Sequence, residues 1–347
     1  MTATTPATAS PLLTIIVPTY NRADNLALLL ETLRVELAGL QEDVTVLVSD
    51  NASTDATPEV VAAARAAHPA LLAQRHERNL GPDGNFCACV EHVSTRYFWI
   101  IGDDDLPKRG VIAKVVQLLR RTSPALVYLQ SEWVNPIVGS EQGEPVGTLD
   151  AGVMDAEAFA RRVNVWFTFI SGVVVDRSLL VQELGPQSIR RFTGTSLVQL
   201  GWILPLLSHH HRFVFVSNRC VLATKDNTGG YPLMTVFGVR FARIVNDVFG
   251  RDSHFARLLI GGNILHYLPG LIWGARTAPS GRHDQEDVWP AMRAELGHRP
   301  LFWLLLTPLG RFPLWLAQPF YQTWRVFHRL HRDWARLRGV KSLKGAA

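Results

Sequence analysis

The chain's ordered pattern begins with a short apolar run, residues 12–17, rich in β-branched side chains and stopped by Pro18. A run of that length and kind predicts a buried strand. Apolar residues then recur at helical spacing over residues 24–40 (Leu26, Leu29, Leu30, Leu33, Leu37), with Gly39 as a stop. The alternation repeats. Residues 44–48 predict a second strand ending at Ser49-Asp50-Asn51, and Ser53, Thr54 and Asp55 offer N-cap chemistry for a helix through residues 58–67. Residues 71–76 predict a third strand and 86–93 a helix, then 97–101 a fourth strand and 111–120 an amphipathic helix. This order predicts an α/β fold, a doubly wound and mostly parallel sheet flanked by helices.

The pattern loosens further on. Residues 125–130, 166–175 and 213–216 predict further strands, 197–207 an apolar helix, and 135–152 an exposed loop. Beyond residue 230 the spacing is helical, over 236–249 and 255–268, with a polar linker at 278–287. The expected organisation is a leader at residues 1–11, an α/β domain at 12–230, a helical region at 231–297 and a basic-aromatic helical extension at 298–347.

Charge sharpens that last boundary. The net charge of the 347 residues is +5, but residues 298–347 hold nine Arg and Lys against the single acid Asp333. The tail is therefore +8 and residues 1–297 are −3. The high pI belongs to the tail and carries no message about the α/β part. Three cysteines, Cys87, Cys89 and Cys220, form neither a disulfide framework nor a four-ligand zinc pattern, which fits a reducing compartment. Residues 1–11 lack the basic and apolar regions of a signal peptide.

Four polar segments close the first four predicted strands. Pro18-Thr19-Tyr20-Asn21-Arg22 could hold a flat base against proline and aromatic rings, or be an ordinary turn. Ser49-Asp50-Asn51 carries a carboxylate able to accept from a base N–H, beside residues suited to helix capping. Asn79-Leu80-Gly81 opens a turn-rich stretch whose backbone donors could approach a ligand. Gly102-Asp103-Asp104-Asp105 puts three like charges in a row, which a divalent cation would stabilise; the alternative is an acidic loop with Asp105 capping a helix near Pro107. In parallel α/β sheets such strand ends share one edge, where ligands bind.

The ordered set of residues 15–21, 48–55, 79–81 and 102–105 resembles the GT-A fold of family 2 glycosyltransferases, strongly over the first third of the chain and weakly to about residue 230. The Gly-Asp-Asp-Asp form is similar to a subgroup containing abequosyltransferase-like enzymes. The resemblance implies that Pro18, Thr19, Tyr20, Asn21, Asp50, Asn79, Gly81 and Asp103 line a nucleotide-sugar site. It also implies that Asp104 and Asp105 hold Mg²⁺ or Mn²⁺ against the donor diphosphate. Many family members carry aspartate where this chain has Gly102, which leaves Asp103 the uncertain member of the motif. An inverting transferase also needs a carboxylate base. The window where the family carries it, residues 190–196, contains no acid, so Asp176 and Glu183 are the nearest candidates.

His209-His210-His211 suggests a metal cluster, but adjacent side chains do not face one ion; one of them, or Lys225, could approach a diphosphate, and a polar loop is the alternative. In the tail, Trp315, Phe320, Tyr321, Trp324, Phe327 and Trp334 interleave with Arg325, Arg329, Arg332, Arg336 and Arg338. That mixture suits an interfacial segment on an anionic leaflet, or a helical pair packed on the domain; the apolar stretch that opens at 301–306 is interrupted by Pro308, Gly310, Arg311, Pro313 and Pro319, too broken to span a bilayer. The expected protein is a cytoplasmic enzyme peripheral on the inner face of the membrane. It would move sugar from a nucleotide-diphosphate donor to a glycan or lipid-linked acceptor in bacterial surface polysaccharide synthesis. No nucleic-acid partner is expected, since no recognition motif accompanies the basic-aromatic tail. The rival expectations are a sugar nucleotidyltransferase and a non-catalytic sugar-nucleotide-binding or scaffold protein.

Overall fold

The computed structural model describes residues 10–68, 70–135, 144–225, 230–277 and 287–337. Most of the expected leader, part of the 135–152 loop, nearly all of the 278–287 linker and the tail from residue 338, including Arg338, lie outside the described residues. The chain forms two compact units. The first comprises Met1–Asp150, Phe169–Ile189 and Val216–Lys225; the second comprises Ala151–Thr168, Arg190–Phe215 and Asp226–Ala347.

In chain order the elements begin β1 (Leu13–Thr19), α1 (Ala23–Glu36), β2 (Val44–Asp50), α2 (Thr57–Ala67), β3 (Leu72–Arg75), α3 (Gly81–His92) and β4 (Tyr97–Ile100). They continue with β5 (Leu106–Pro107), α4 (Val111–Thr122), β6 (Leu126–Val134), β7 (Ala151–Met154), α5 (Ala156–Val163), β8 (Val173–Asp176), α6 (Arg177–Leu184), α7 (Leu200–His209) and β9 (Phe213–Thr224). The rest is helical: α8 (Leu233–Thr235), α9 (Phe241–Phe249), α10 (His254–His266), α11 (Leu268–Thr277), α12 (Trp289–Leu296), α13 (Thr307–Arg311) and α14 (Leu314–Leu337).

The sheet order is β3-β2-β1-β4-β8-β6-β9-β5. Strands β3, β2, β1 and β4 run parallel, whereas β8 is antiparallel to both β4 and β6, and β5 is antiparallel to β9. Every residue of β1 and β4 is buried, as continuous apolar runs in a parallel sheet should be. Register brings the strand ends level. Thr19 is level with Asp50, and Asp50 with Arg75, at the C-terminal ends of β1, β2 and β3. Ile16 is level with Ile100, so Gly102 to Asp105 emerge from the same edge.

Four local expectations change. No helix starts at Pro107: Leu106–Pro107 pairs with β9 as the last strand of the sheet, where a proline lacking N–H is tolerated, and α4 starts after Gly110 at φ 73°. Asp105 therefore caps nothing. The predicted strand at 166–175 yields only β8, because Asn164–Thr168 and Ile170–Gly172 wind into tight turns; Phe167 is buried there against Phe159, 5.6 Å between ring centroids. Packing there overrides the β propensity of the aromatic residues. Helix α3 starts at Gly81, five residues early, with Pro82 in its first turn, a position where proline's missing N–H costs no helix bond. Strand β9 runs twelve residues rather than stopping at Val216.

In the second unit, α14 is packed along part of its surface, as the helical-pair expectation has it. One face is packed: Trp324 Nε1 donates to Leu265 O at 2.6 Å, and Tyr321 stacks on Trp273 at 4.5 Å. Leu316, Phe320, Phe327 and Leu330 lie along another face and are exposed, as are Trp315, Arg325 and Arg329. The stretch His254–Thr277 has the length and apolar composition of a membrane span, yet Leu259, Ile260, Ile264, Leu268 and Ile272 are buried within the protein.

Candidate functional site

The four strand-end segments meet at one edge of the sheet in the first unit. The turn after β1 is set by Asn21 at φ 53°, a left-handed conformation that a short amide side chain tolerates. Asn21 N donates to Ser53 Oγ at 2.9 Å, and its Oδ1 accepts from Thr54 N at 2.7 Å, so the first turn is locked to the second. Asn51, a motif residue to which the sequence pattern assigns no role, builds the third segment. Its Nδ2 donates to Asn79 Oδ1 at 2.9 Å and Gly81 O at 3.2 Å, and its Oδ1 accepts from Leu80 N at 2.8 Å. Gly81 itself sits at φ 72°, where a side chain would be strained. Pro18 is buried within β1, while Tyr20 is exposed beside it.

Asp50 is almost fully buried. Its Oδ1 accepts from Ser53 N at 2.8 Å; its Oδ2 has no hydrogen bond and lies 3.5 Å from Arg75 Nε. A buried carboxylate oxygen without a hydrogen-bond donor is costly unless a ligand supplies one. Arg75 in turn donates to Ser53 O at 2.7 Å. Nothing in the sequence singles out Arg75; its one signal is a cation at the end of a strand whose neighbour ends in Asp50.

The acidic segment splits into two parts. Thr19 Oγ1 donates to Asp103 Oδ2 at 2.8 Å. Arg22 Nη1 lies 3.0 Å from Asp103 Oδ1 and 3.2 Å from Asp104 Oδ2. One cationic nitrogen therefore sits where oxygens of two different carboxylates converge. Asp105 points elsewhere. Its Oδ2 accepts from Ser171 Oγ at 2.6 Å and its Oδ1 from Thr224 N at 3.2 Å, while Thr224 Oγ1 donates to Asp104 O at 2.7 Å. Ser171 Oγ also accepts from Gly102 N at 2.9 Å, and Ser171 O accepts from Trp99 Nε1 at 2.8 Å. The resemblance pairs Asp104 with Asp105; the structure brings Asp103 beside Asp104 and turns Asp105 into a latch on Ser171 and Thr224.

Burial governs the protonation of this segment. It pushes the Asp103 carboxyl up to about 6, against the pull of Arg22 and the Thr19 hydroxyl. It pushes Asp105 up to about 7, with the Asp104 charge adding to the rise. Arg22 is held in its charged form by Asp103 and Asp104, although burial acts against it.

Mg²⁺ or Mn²⁺, implied by the resemblance, is tested by this donor set. Among the described residues no three His, Cys, Asp or Glu side chains form a ready-made ligand group. Two hard carboxylate oxygens converging on one cationic atom do fit such an ion, provided the remaining ligands are phosphate oxygens and water. His209-His210-His211 closes α7 in the second unit, and Lys225 is an exposed residue after β9.

Of the two base candidates, Asp176 lies away from this edge. Because β8 runs antiparallel to β4, Asp176 is level with Tyr97, at the opposite end of β4 from Gly102. It is fully buried, caps α6 through Oδ1, and pairs with Arg96 through Oδ2 at 2.9 Å. That placement removes it from the base role. Glu183 is exposed on the last turn of α6.

A parallel half-sheet with a polar, carboxylate-rich edge, extended by antiparallel strands, is the GT-A arrangement. Two solved structures of TarS residues 1–349 from S. aureus share the fold. One, in complex with UDP-GlcNAc, superposes with TM-score 0.61 at 16% identity, covering 92% of this chain and 91% of that one. The other superposes with TM-score 0.59 at 15% identity and the same coverage. Residues 14–145 match the family described as glycosyl transferase family 2. It is 35% identical over 119 residues to abequosyltransferase RfbV of Salmonella typhimurium, an alignment covering 34% of this chain. The chain spans about a third, 35%, of that relative's length.

Proposed function

We propose that this protein transfers a sugar from a nucleotide-diphosphate donor to a hydroxyl of a glycan acceptor carried on a membrane lipid, in bacterial surface polysaccharide synthesis. The observation that carries this reading is the convergence of Asp103 Oδ1 and Asp104 Oδ2 on one cationic atom, at the edge where Asp50 Oδ2 is left without a donor. The family of the domain and the abequosyltransferase relative support it.

Each residue has a task in this reading. Asp50 accepts the base N–H, with Arg75 holding its charge in place. Tyr20, exposed beside Pro18, offers its ring to the base. The Asn79–Gly81 turn, shaped by Asn51, approaches the ribose-diphosphate side with its backbone. Asp103 and Asp104 hold Mg²⁺ or Mn²⁺, with Thr19 fixing the Asp103 carboxylate and Asp105 fixing the loop. Once bound, the ion neutralises charge growing on the departing diphosphate. An inverting displacement needs a carboxylate to take the acceptor proton, and of the two candidates Glu183 remains.

The exposed apolar and basic faces of α14 support seating on the cytoplasmic, anionic leaflet, which would bring the enzyme to a lipid-linked acceptor. A non-catalytic nucleotide-sugar-binding protein is favoured by one observation, the lack of any acid at residues 190–196. Incubating the purified full chain with Mn²⁺, a panel of nucleotide-diphosphate sugars and lipid-linked glycan acceptors decides the matter. Transfer that is lost in EDTA and in Asp104→Asn supports the proposal. Tight donor binding with neither transfer nor donor hydrolysis establishes the binding protein instead.

A further inference from the structure

The Arg22 guanidinium occupies the cation position of the site. Its Nη1 is within 3.2 Å of both Asp103 Oδ1 and Asp104 Oδ2. The backbone that carries it is fixed. Arg22 N donates to Thr57 Oγ1 at 3.3 Å, Arg22 O accepts from Leu26 N at 2.9 Å, and the left-handed turn at Asn21 precedes it. The side chain is not fixed in the same way: it is 35% exposed, so it can leave the carboxylates without opening a cavity in the core.

A guanidinium and a divalent cation cannot share two carboxylate oxygens, because like charges at contact distance repel. A guanidinium also matches the geometry of phosphate oxygens as well as that of carboxylates, with two parallel N–H donors. We infer that Arg22 is an exchangeable cation: it holds the Asp103–Asp104 pair when the site is empty, gives the pair up to the metal, and moves onto the incoming diphosphate. This rests on the metal-assisted reading above and extends it to the order and coupling of binding. It makes metal and diphosphate mutually dependent. The ion must displace Arg22, and the diphosphate gives Arg22 somewhere to go. By linkage each ligand then raises the affinity of the other by the same factor.

The test is direct binding on the full chain, independent of turnover. Mn²⁺ is titrated by electron paramagnetic resonance and calorimetry, alone and with UDP, GDP, CDP and dTDP in turn. The wild type should bind Mn²⁺ weakly alone and at least about tenfold more tightly with the diphosphate it prefers, a coupling of ordinary size. Arg22→Met keeps the aliphatic stem. It should bind Mn²⁺ alone about tenfold more tightly than wild type, bind the metal-free diphosphate more weakly, and bring the coupling factor close to one. Arg22→Lys keeps the charge and serves if the methionine variant fails to fold; a lysine meets the pair as a point charge, so its coupling should be intermediate. Unchanged or weakened Mn²⁺ binding in Arg22→Met, or in Arg22→Lys where only that variant folds, overturns the exchange while leaving the metal site standing. Failure of wild type, Arg22→Met and Arg22→Lys alike to bind Mn²⁺ with any diphosphate overturns the metal reading, and the exchange with it.

Discussion

Ser171 Oγ donates to Asp105 Oδ2 at 2.6 Å, joining residues 66 positions apart in the chain, and the same oxygen accepts from Gly102 N at 2.9 Å. One hydroxyl thereby holds both ends of the Gly102–Asp105 segment. Ser171→Ala leaves a buried carboxylate oxygen and an amide short of a partner. The expected loss is about 1–3 kcal/mol of stability, read from the shift in denaturant midpoint at constant slope. A midpoint equal to wild type would mean that Asp105 does not depend on Ser171.

Gly102 stands where Asp103–Asp105 fold back on themselves. A Cβ there would lie 3.0 Å from Asp104 Oδ1, 3.3 Å from Asp105 Oδ2 and 3.6 Å from Ser171 Oγ. Gly102→Ala should therefore push the Asp104 carboxylate aside while the fold persists. A cost of about 1.4 kcal/mol corresponds to a tenfold weaker Mn²⁺–nucleotide complex, measurable by calorimetry. The tight approach also gives a physical reason for glycine at this position: as Asp105 latches to Ser171, there is little room for a fourth carboxylate.

Asp50 should control nucleotide binding without touching the metal. Asp50→Asn keeps the size of the side chain, but at Oδ2 it replaces an acceptor beside Arg75 with a donor or a neutral oxygen. Nucleotide affinity should fall by about 1.5–3 kcal/mol, the range for hydrogen bonds to charged groups. Mn²⁺ binding in the absence of nucleotide should not change. Equal loss of both would show that the substitution disturbs the whole edge.

Much of this edge is legible in the chain. Alternating strand and helix patterns put the ends of parallel strands on one edge, so Thr19, Asp50, Asn79 and Asp103 group together on pattern alone. Three features are not legible, each for a different reason. The long side chain of Arg22 is aimed by the left-handed turn at Asn21, which its own sequence neighbours do not specify uniquely. Ser171 lies in a stretch whose aromatic residues signal strand but wind into tight turns. Asp176 ends an apolar run just as Asp50 does, yet β8 runs the other way, and strand direction leaves no mark in a short buried sequence.

Cysteine chemistry supplies a pH-dependent check on the core. Cys87, Cys89 and Cys220 are all buried, and burial pushes the Cys89 and Cys220 thiols up to about 12. Their folded values exceed the unfolded ones, so the folded state holds these protons more tightly. That contribution to stability is intact below about pH 8.5, the unperturbed thiol value, and declines as pH rises from there. Native protein at pH 8 should resist iodoacetamide at both residues, and urea should expose them together in one transition, as read by mass spectrometry. Rapid native alkylation of either would contradict the burial.

The last prediction concerns α14. Its packed face rests on Trp273 and Leu265, so deleting residues 298–347 would remove core contacts of Phe302, Leu306, Leu309 and Ala317 along with any membrane contact. Point substitutions on the exposed side separate the two. Trp315 is 72% exposed and Phe327 51%, so charging them costs the fold little. The full chain should float with anionic phosphatidylglycerol vesicles and much less with phosphatidylcholine. Trp315→Glu with Phe327→Glu should lower partitioning at least tenfold, since burying each apolar side chain contributes about 1.5–3 kcal/mol. Arg325→Ala and Arg329→Ala should each cost about 1 kcal/mol on anionic vesicles, a loss that fades at high salt. Equal flotation of wild type and the double glutamate variant, with both folded by circular dichroism, would remove α14 from the membrane and leave its apolar face to another partner.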